Sequence, residues 1–204
     1  MKELNLATKI WKHFCLVNKH RWYVFKFSIK AGIPWRGFLH DLSKFSPTEF
    51  FESVKYYNGS KSPLRVCREL NGYSLSWLHH KGRNKHHFEY WEDMDRNKRI
   101  PVFMPYKYIV EAVCDKIAAG MAYKGKEWTK EEPFKYWTNN EKPGPVVKHP
   151  GSVEFVDTVL KRISDEGLDA GLNPNYLKLL YKNIRKNMRN SYRNTYNYRN
   201  SKIE

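Results

Sequence analysis

No apolar run in the chain approaches the roughly 20 residues that a membrane-spanning helix needs. The opening residues, MKELNLATKIWKHF, lack the continuous apolar stretch and small-residue cleavage site of a secretory signal. Cysteine is scarce. Cys15, Cys67 and Cys114 stand far apart, odd in number and without a CxxC pair, so they read as reduced, mostly buried thiols. These absences predict a cytoplasmic protein with no membrane association. Acid is short as well: 21 Asp and Glu face 37 Lys and Arg, a net charge of +16. That excess predicts attraction to polyanions such as nucleic acid or nucleotides and says nothing about fold. The last 23 residues hold seven Lys or Arg against one acid, so the rest of the chain still carries +10. Neither an internal repeat nor a convincing run of strands is present.

What is present is helical punctuation. From Leu4 to about Ala31 no helix breaker occurs, and Ile10, Phe14, Val17, Val24 and Phe27 recur at helical spacing before Gly32-Ile33-Pro34 ends the run. A short helix is expected from Pro34 through His40 to Lys44. In "SPTE", Ser46 reads as N-cap, Pro47 as first helical residue and Glu49 as the closing acid of a capping box. A second Ser-Pro start at Ser62 opens a helix expected to carry Trp77, His79 and His80, and "KHHFEYWEDMD" reads as helical again. "YIVEAVCDKIAAGMAY" (108–123) has the pattern of a buried helix with Asp115 in its middle. "TKEE" at Thr129 reads as another capping box, a helix is expected at about 153–165, and Asn173-Pro174 caps the last one. The expectation is an all-α fold of seven or eight helices over residues 1–183, followed by a flexible basic tail, 184–204, rich in Asn, Arg and Tyr. Trp22, Trp35 and Trp137 are assigned to the core.

Eight histidines occur, at 13, 20, 40, 79, 80, 86, 87 and 149. A single His on an apolar face is usually a satisfied core residue, but "HHKGRNKHH" packs two His-His pairs into nine residues among aromatics. A core does not need four imidazoles there; imidazole with carboxylate oxygen is a ligand set for Zn, Fe, Mn or Ni. Asp115, between Val113 and Ile117, faces a large desolvation cost unless it is paired or metal-bound. His13, two helical turns before His20, either lines the same pocket or stacks in the core. Arg83 and Lys85 flank the His cluster and are candidate phosphate-binding residues. Asn84 reads as the cap of the helix that follows it, and His149 as a loop residue ahead of a cap at Ser152.

His20, then His40-Asp41, then the distant Asp115, all on helices, is an order similar to that of the HD-domain metal-dependent phosphohydrolases. "HDLSK" resembles the His-Asp-x-x-Lys segment of phosphodiesterase branches in which intervening histidines supply further metals. The chain from about 13 to 165 also resembles a small uncharacterised bacterial and phage family with the pattern HDLSKF…HHKxRNxHHxEYW…CD. The resemblance implies that His20, His40, Asp41 and Asp115 bind a primary metal and that Asp41 bridges to a second. It implies His80, His86 and His87 as additional ligands, with His79 the less certain member of its pair, and Lys44 as the group holding the scissile phosphate. No Gly-Tyr-Pro segment follows the second His pair, so hydrolysis of a cyclic dinucleotide is not implied. The expected cofactor is one or two divalent transition-metal ions, and the expected substrate a nucleotide or related phosphorylated small molecule. Two other classes fit the sequence: a nucleic-acid-binding protein with a structural metal, and a diiron oxygenase on the same scaffold.

Overall fold

The computed structural model describes residues 4–200, with side chains described through residue 189. It is all-α apart from one small hairpin. Helix α1 (Leu6–Lys30) starts where the Asn5 side chain accepts from the Thr8 amide at 2.8 Å. It ends ahead of Gly32, whose φ of +75° suits glycine. Its buried row is His13, Val17, His20, Val24 and Phe27, whereas Ile10 and Phe14 face outward. Two imidazoles therefore lie on the buried face of the first helix.

Helix α2 (Pro34–Leu39) doubles back along α1. Gly37 makes that possible: a Cβ there would sit 2.4 Å from the Ser28 Cβ, so only a bare backbone fits. The expected continuation to Lys44 does not form. The helix stops at Leu39, Asp41 adopts a left-handed backbone (φ 52°, ψ 27°), and Leu42–Phe45 is a single 3-10 turn. Ser46 caps α3 (Pro47–Lys55), accepting from the Glu49 amide, but Glu49 does not close a capping box; its side chain goes elsewhere.

The helix expected from Ser62 to His80 is two helices. Helix α4 (Pro63–Asn71) ends at Gly72 with φ +77°, and α5 (Leu75–Arg83) restarts under a Ser74 cap. "KHHFEYWEDMD" is not helical beyond a 3-10 turn at Phe88–Trp91. Its acids form β1 (Glu92–Asp95), antiparallel to β2 (Lys98–Pro101) with Asp93 opposite Ile100. Thr129 does not close a capping box either; α7 (Glu132–Tyr136) starts without a side-chain cap.

Helix α6 (Tyr106–Lys124) is the centre of the molecule. Ile109, Val110, Val113, Cys114, Ile117 and Ala118 are fully buried, so it is apolar on nearly every side. It packs against α1 on one side and α8 (Pro150–Glu166) on another. Helix α9 (Leu168–Gly171) and α10 (Pro174–Asn200) complete the core through Leu172, Leu177 and Ile184. The helix reaches Asn200, whereas the sequence reading ends it near Ile184; of the expected tail, residues 201–204 lie outside those described. His149 is itself the N-cap of α8, and the Ser152 hydroxyl instead accepts from the Met104 amide.

Of the tryptophans assigned to the core only Trp137 belongs there; Trp22 is 59% and Trp35 76% exposed. Cys67 and Cys114 are buried, Cys15 is exposed, and all three are free. Among the described residues, no helix is long and apolar enough to cross a membrane.

Candidate metal centre

Asp41 is the hub. The break after α2 lets His40 and Asp41, adjacent in sequence, point at one centre, which consecutive helical residues 100° apart cannot do. On one side of the carboxylate, Oδ2 lies 3.3 Å from His40 Nε2 and 4.0 Å from His20 Nε2. Asp115, on α6, brings its Oδ1 within 3.1 Å of His20 Nε2 and 3.6 Å of His40 Nε2. On the other side, Oδ1 lies 3.4 Å from His80 Nε2 and 3.6 Å from His86 Nε2. Three overlapping groups have ligand atoms within 4.8 Å of one another and could hold a metal ion: His20, His40 and Asp41; His40, His86 and Asp115; and Asp41, His80, His86 and His87. Asp41 Oδ1, His86 Nε2 and His87 Nε2 are buried with no hydrogen-bond partner, an arrangement that costs free energy unless something is bound there.

The outward-facing ring nitrogens are tied down by two glutamates. Glu111 on α6 accepts from His40 Nδ1 at 3.0 Å, and its same oxygen lies 3.3 Å from His86 Nδ1. Its other oxygen accepts from both Nε and Nη2 of Arg36, at 2.8 and 2.6 Å. Glu49 accepts from His80 Nδ1 at 2.7 Å and from His79 Nδ1 at 2.6 Å. With Nδ1 donating outward, the Nε2 lone pair of His40 and of His80 faces the centre, the tautomer a metal ligand needs. Glu52 orients α5 by accepting from the Ser74 hydroxyl and the Ser76 amide at its N-terminus.

The carboxylates of the cluster are held in their charged form by the imidazoles and the ammonium around them. Burial alone would raise the Asp41 carboxyl, but His40, Lys44 and His80 hold it well below the usual range. Asp115 is likewise held down, against burial, by His20 and His40. Glu111, despite burial, is brought to about 2 by its bonds to His40 and His86. His40 is pulled well above an ordinary imidazole, its burial overridden by Asp41 and Asp115. Burial keeps His87 well below the ordinary value, with the charges of His86 and His80 adding to it.

The match to known families covers all of these residues. The chain belongs to a family of unknown function, DUF5662. Its profile matches residues 9–162, from α1 into α8, and so includes every member of the three groups. No curated protein and no solved structure matches the chain. The DUF5662 region leaves out the first residues of α1, the end of α8, and all of α9 and α10.

Within that region, the seven expected ligands, His20, His40, Asp41, His80, His86, His87 and Asp115, are all brought together. His79 is not among them; it sits between Glu49 and Arg83, whose Nε donates to its Nε2 at 2.6 Å. Lys44 reaches Asp41 Oδ2 at 2.7 Å, although by the 3-10 turn and not by the expected helix. Arg83 and Lys85 have their contacts elsewhere, Arg83 on His79 and Lys85 over the Tyr90 ring. Asn84 is the C-cap of α5, not the cap of a helix that follows; it ties α5 to the turn, donating to the Ser43 hydroxyl at 2.7 Å and the His80 carbonyl at 2.9 Å. His13 packs against Phe50 at a tilt and against Tyr57 edge-on, and burial drops it to about 4, with the charge of Lys44 adding to that. Sequence reasoning missed Glu111, Glu49 and Arg21. Arg21 donates to the carbonyls of Phe38 and His40 where α2 ends, supplying partners to groups the helix leaves open.

Proposed function

We propose that this chain is a metal-dependent phosphohydrolase acting on a phosphoester of a nucleotide or related small molecule, with one or two divalent ions from among Mn, Fe, Ni and Zn. The observation that carries the reading is that the two oxygens of Asp41 face separate imidazole sets, with Asp115 closing the first. A carboxylate placed in this way suits two ions about 3.5–4 Å apart. When bound, such ions polarise a phosphoryl oxygen and bring the pKa of water toward neutrality. The ligand order His20, His40-Asp41, Asp115 on an all-α scaffold resembles the HD-domain phosphohydrolases and supports the same reading.

The chain's own residues do the rest. His20, His40, Asp41 and Asp115 make one ligand set and Asp41, His80, His86 and His87 the other. Glu111 holds His40, and Glu49 holds His80, in one tautomer. His40, His80, His86 and Asp41 are at most 2% exposed, whereas the Lys44 and Asp115 side chains are 27% and 23% exposed, so the cluster opens to solvent beside them. A purely structural metal would be closed on all sides. The Lys44 ammonium at that opening is placed to meet negative charge developing on a phosphoryl group.

Elemental analysis and a panel of chromogenic phosphomonoesters and phosphodiesters test the proposal together. Purified protein is expected to hold about one to two equivalents of transition metal. It is also expected to hydrolyse at least one of the esters, to lose that activity with chelator and to regain it with Mn²⁺ or Zn²⁺. Protein that binds none of Mn²⁺, Fe²⁺, Ni²⁺ and Zn²⁺, with no rise in melting temperature, would sink it.

A further inference from the structure

From Leu4 to His40 the chain carries seven Lys or Arg and no acid. The same segment exposes large rings that proteins ordinarily bury. Trp22 on α1 packs against Phe25 (6.1 Å between centroids), Phe25 against Phe38 on α2 (6.4 Å), and Phe38 against Trp35 (6.3 Å). Trp22, Trp35 and Phe38 are 59%, 76% and 55% exposed, so these rings make contacts with one another and leave most of their surface in water. Further along α1, Phe14 meets Phe45 at 6.0 Å. Arg21 joins the two groups, its guanidinium 5.3 Å from the Phe45 centroid and bonded to the Phe38 carbonyl. Lys12, Lys19 and Lys26 recur every seven residues on a neighbouring row of the same helix, about 10 Å apart along its axis. Phe45 directly follows Lys44, the cation at the opening of the metal cluster.

We infer that this aromatic strip binds single-stranded nucleic acid and leads one of its phosphodiesters to Lys44 and the cluster; the second half rests on the hydrolase reading above. Lys30 and Arg36 are paired with Asp169 and Glu111 of other helices, but the exposed rings remain interleaved with Lys12, Arg21 and Lys26, which matches a polyanion whose unpaired bases can stack. A duplex hides those faces. A second copy of this chain would set the same acid-free basic segment against itself across a symmetric interface. An anionic bilayer shares the basic and aromatic chemistry, but it offers no phosphodiester able to thread past Lys44.

Binding is read by fluorescence anisotropy with a labelled phosphorothioate oligothymidylate about 20 nucleotides long, which keeps the charge and bases and resists hydrolysis. Trp22→Ala and Trp35→Ala, singly and together, are the variants, since both indoles are exposed and their loss spares the core. Each is expected to raise Kd roughly five- to a hundredfold, the stacking contribution of one ring. Affinity should also fall steeply with salt and be weaker for a duplex of the same length. With Mn²⁺ restored, unmodified oligothymidylate should be cleaved. Three results would overturn the inference: variants that bind like wild type, ring-dependent binding to anionic phospholipid vesicles that the oligonucleotide does not displace, or a dimer in sedimentation that the variants dissolve. Ring-dependent binding without cleavage would refute the delivery of substrate while leaving the hydrolase reading to the small chromogenic esters. Hydrolysis of those esters without oligonucleotide binding would refute this inference alone.

Discussion

Each oxygen of Asp41 faces its own set of imidazole nitrogens, and Lys44 shares Oδ2 with the first set, so neighbouring residues here have separable jobs. Asp41→Asn puts a neutral amide, a far weaker ligand, at the point common to both sets, and is expected to lose metal and activity together. Lys44→Ala is expected to keep its metal and lose roughly 10²–10³ in rate, the scale of one contact made to transition-state charge. Glu111→Gln lies between, with metal affinity falling about 10–100-fold because His40 loses its anchor. Metal content and turnover measured on the same preparations check all three, and Lys44→Ala at wild-type turnover on every ester would remove the lysine from the mechanism. The convergence of these side chains was legible in the sequence because four clustered imidazoles and a carboxylate in an apolar helix are costly to bury unless they are paired or joined by an ion. Glu111 and Glu49 were not. Glutamate is an ordinary helix residue, and a serine three positions before Glu49 already gave it a role in a cap; only the fold brings these two carboxylates against imidazoles distant in the chain.

At the scale of the element, the site depends on a helix that stops early. Periodicity alone carries α2 on to Lys44, because Leu39, Leu42 and Phe45 continue a helical spacing. That α2 ends at Leu39, with His40 and Asp41 turned to one centre, is a demand of the cluster, invisible in local propensity. The all-α character and the caps at Ser46 and Asn173 were legible because they depend on neighbours in sequence. The exposed Trp22 and Trp35 were misread for the opposite reason: composition favours burying tryptophan, and nothing local says that no helix covers them. Gly37 is the test of how tightly α2 is placed. A methyl there would meet Ser28 at 2.4 Å, whereas a methyl at Gly82 of α5 would meet nothing within 4 Å. Gly37→Ala should cost about 1–3 kcal/mol through overpacking and weaken metal binding by moving His40 away from His20. Gly82→Ala should stabilise by roughly 0.5–1 kcal/mol through helix propensity. Thermal melts of the two variants with equal outcomes would show that the α1–α2 contact is looser than described.

Across the whole molecule, apolar burial and the His/Asp cluster are unevenly shared. The continuous core joins α1, α6, α8 and α10 with Trp137 and Leu172, and none of its buried members comes from α3, α4 or α5. Those three helices bury little that is apolar beyond Val54, Pro63 and Cys67, with Tyr57 just after α3. Glu49 ties α3 to α5 through His79 and His80, and the group meets the rest mainly through Asn84 with Ser43, His80 beside Asp41, and His13 of α1 against Phe50 and Tyr57. A bound ion would therefore do two things, completing the site and fastening α3–α5 to α6. Metal at about 100 times its Kd stabilises the bound form by roughly 2.7 kcal/mol, which corresponds to about a hundredfold in the population of the opened state. Hydrogen exchange followed with and without chelator should then show a regional response, because local opening draws on the least apolar part of a structure. Amides of residues 47–83 are expected to exchange up to about a hundredfold faster once the metal is removed, while those of α6 and α8 keep their protection. The melting temperature should fall in step. Uniform acceleration across α6 and α8 would mean that the metal supports the entire fold. Unchanged exchange in α3–α5 would mean that these helices stand on their own contacts and that the cluster serves chemistry alone.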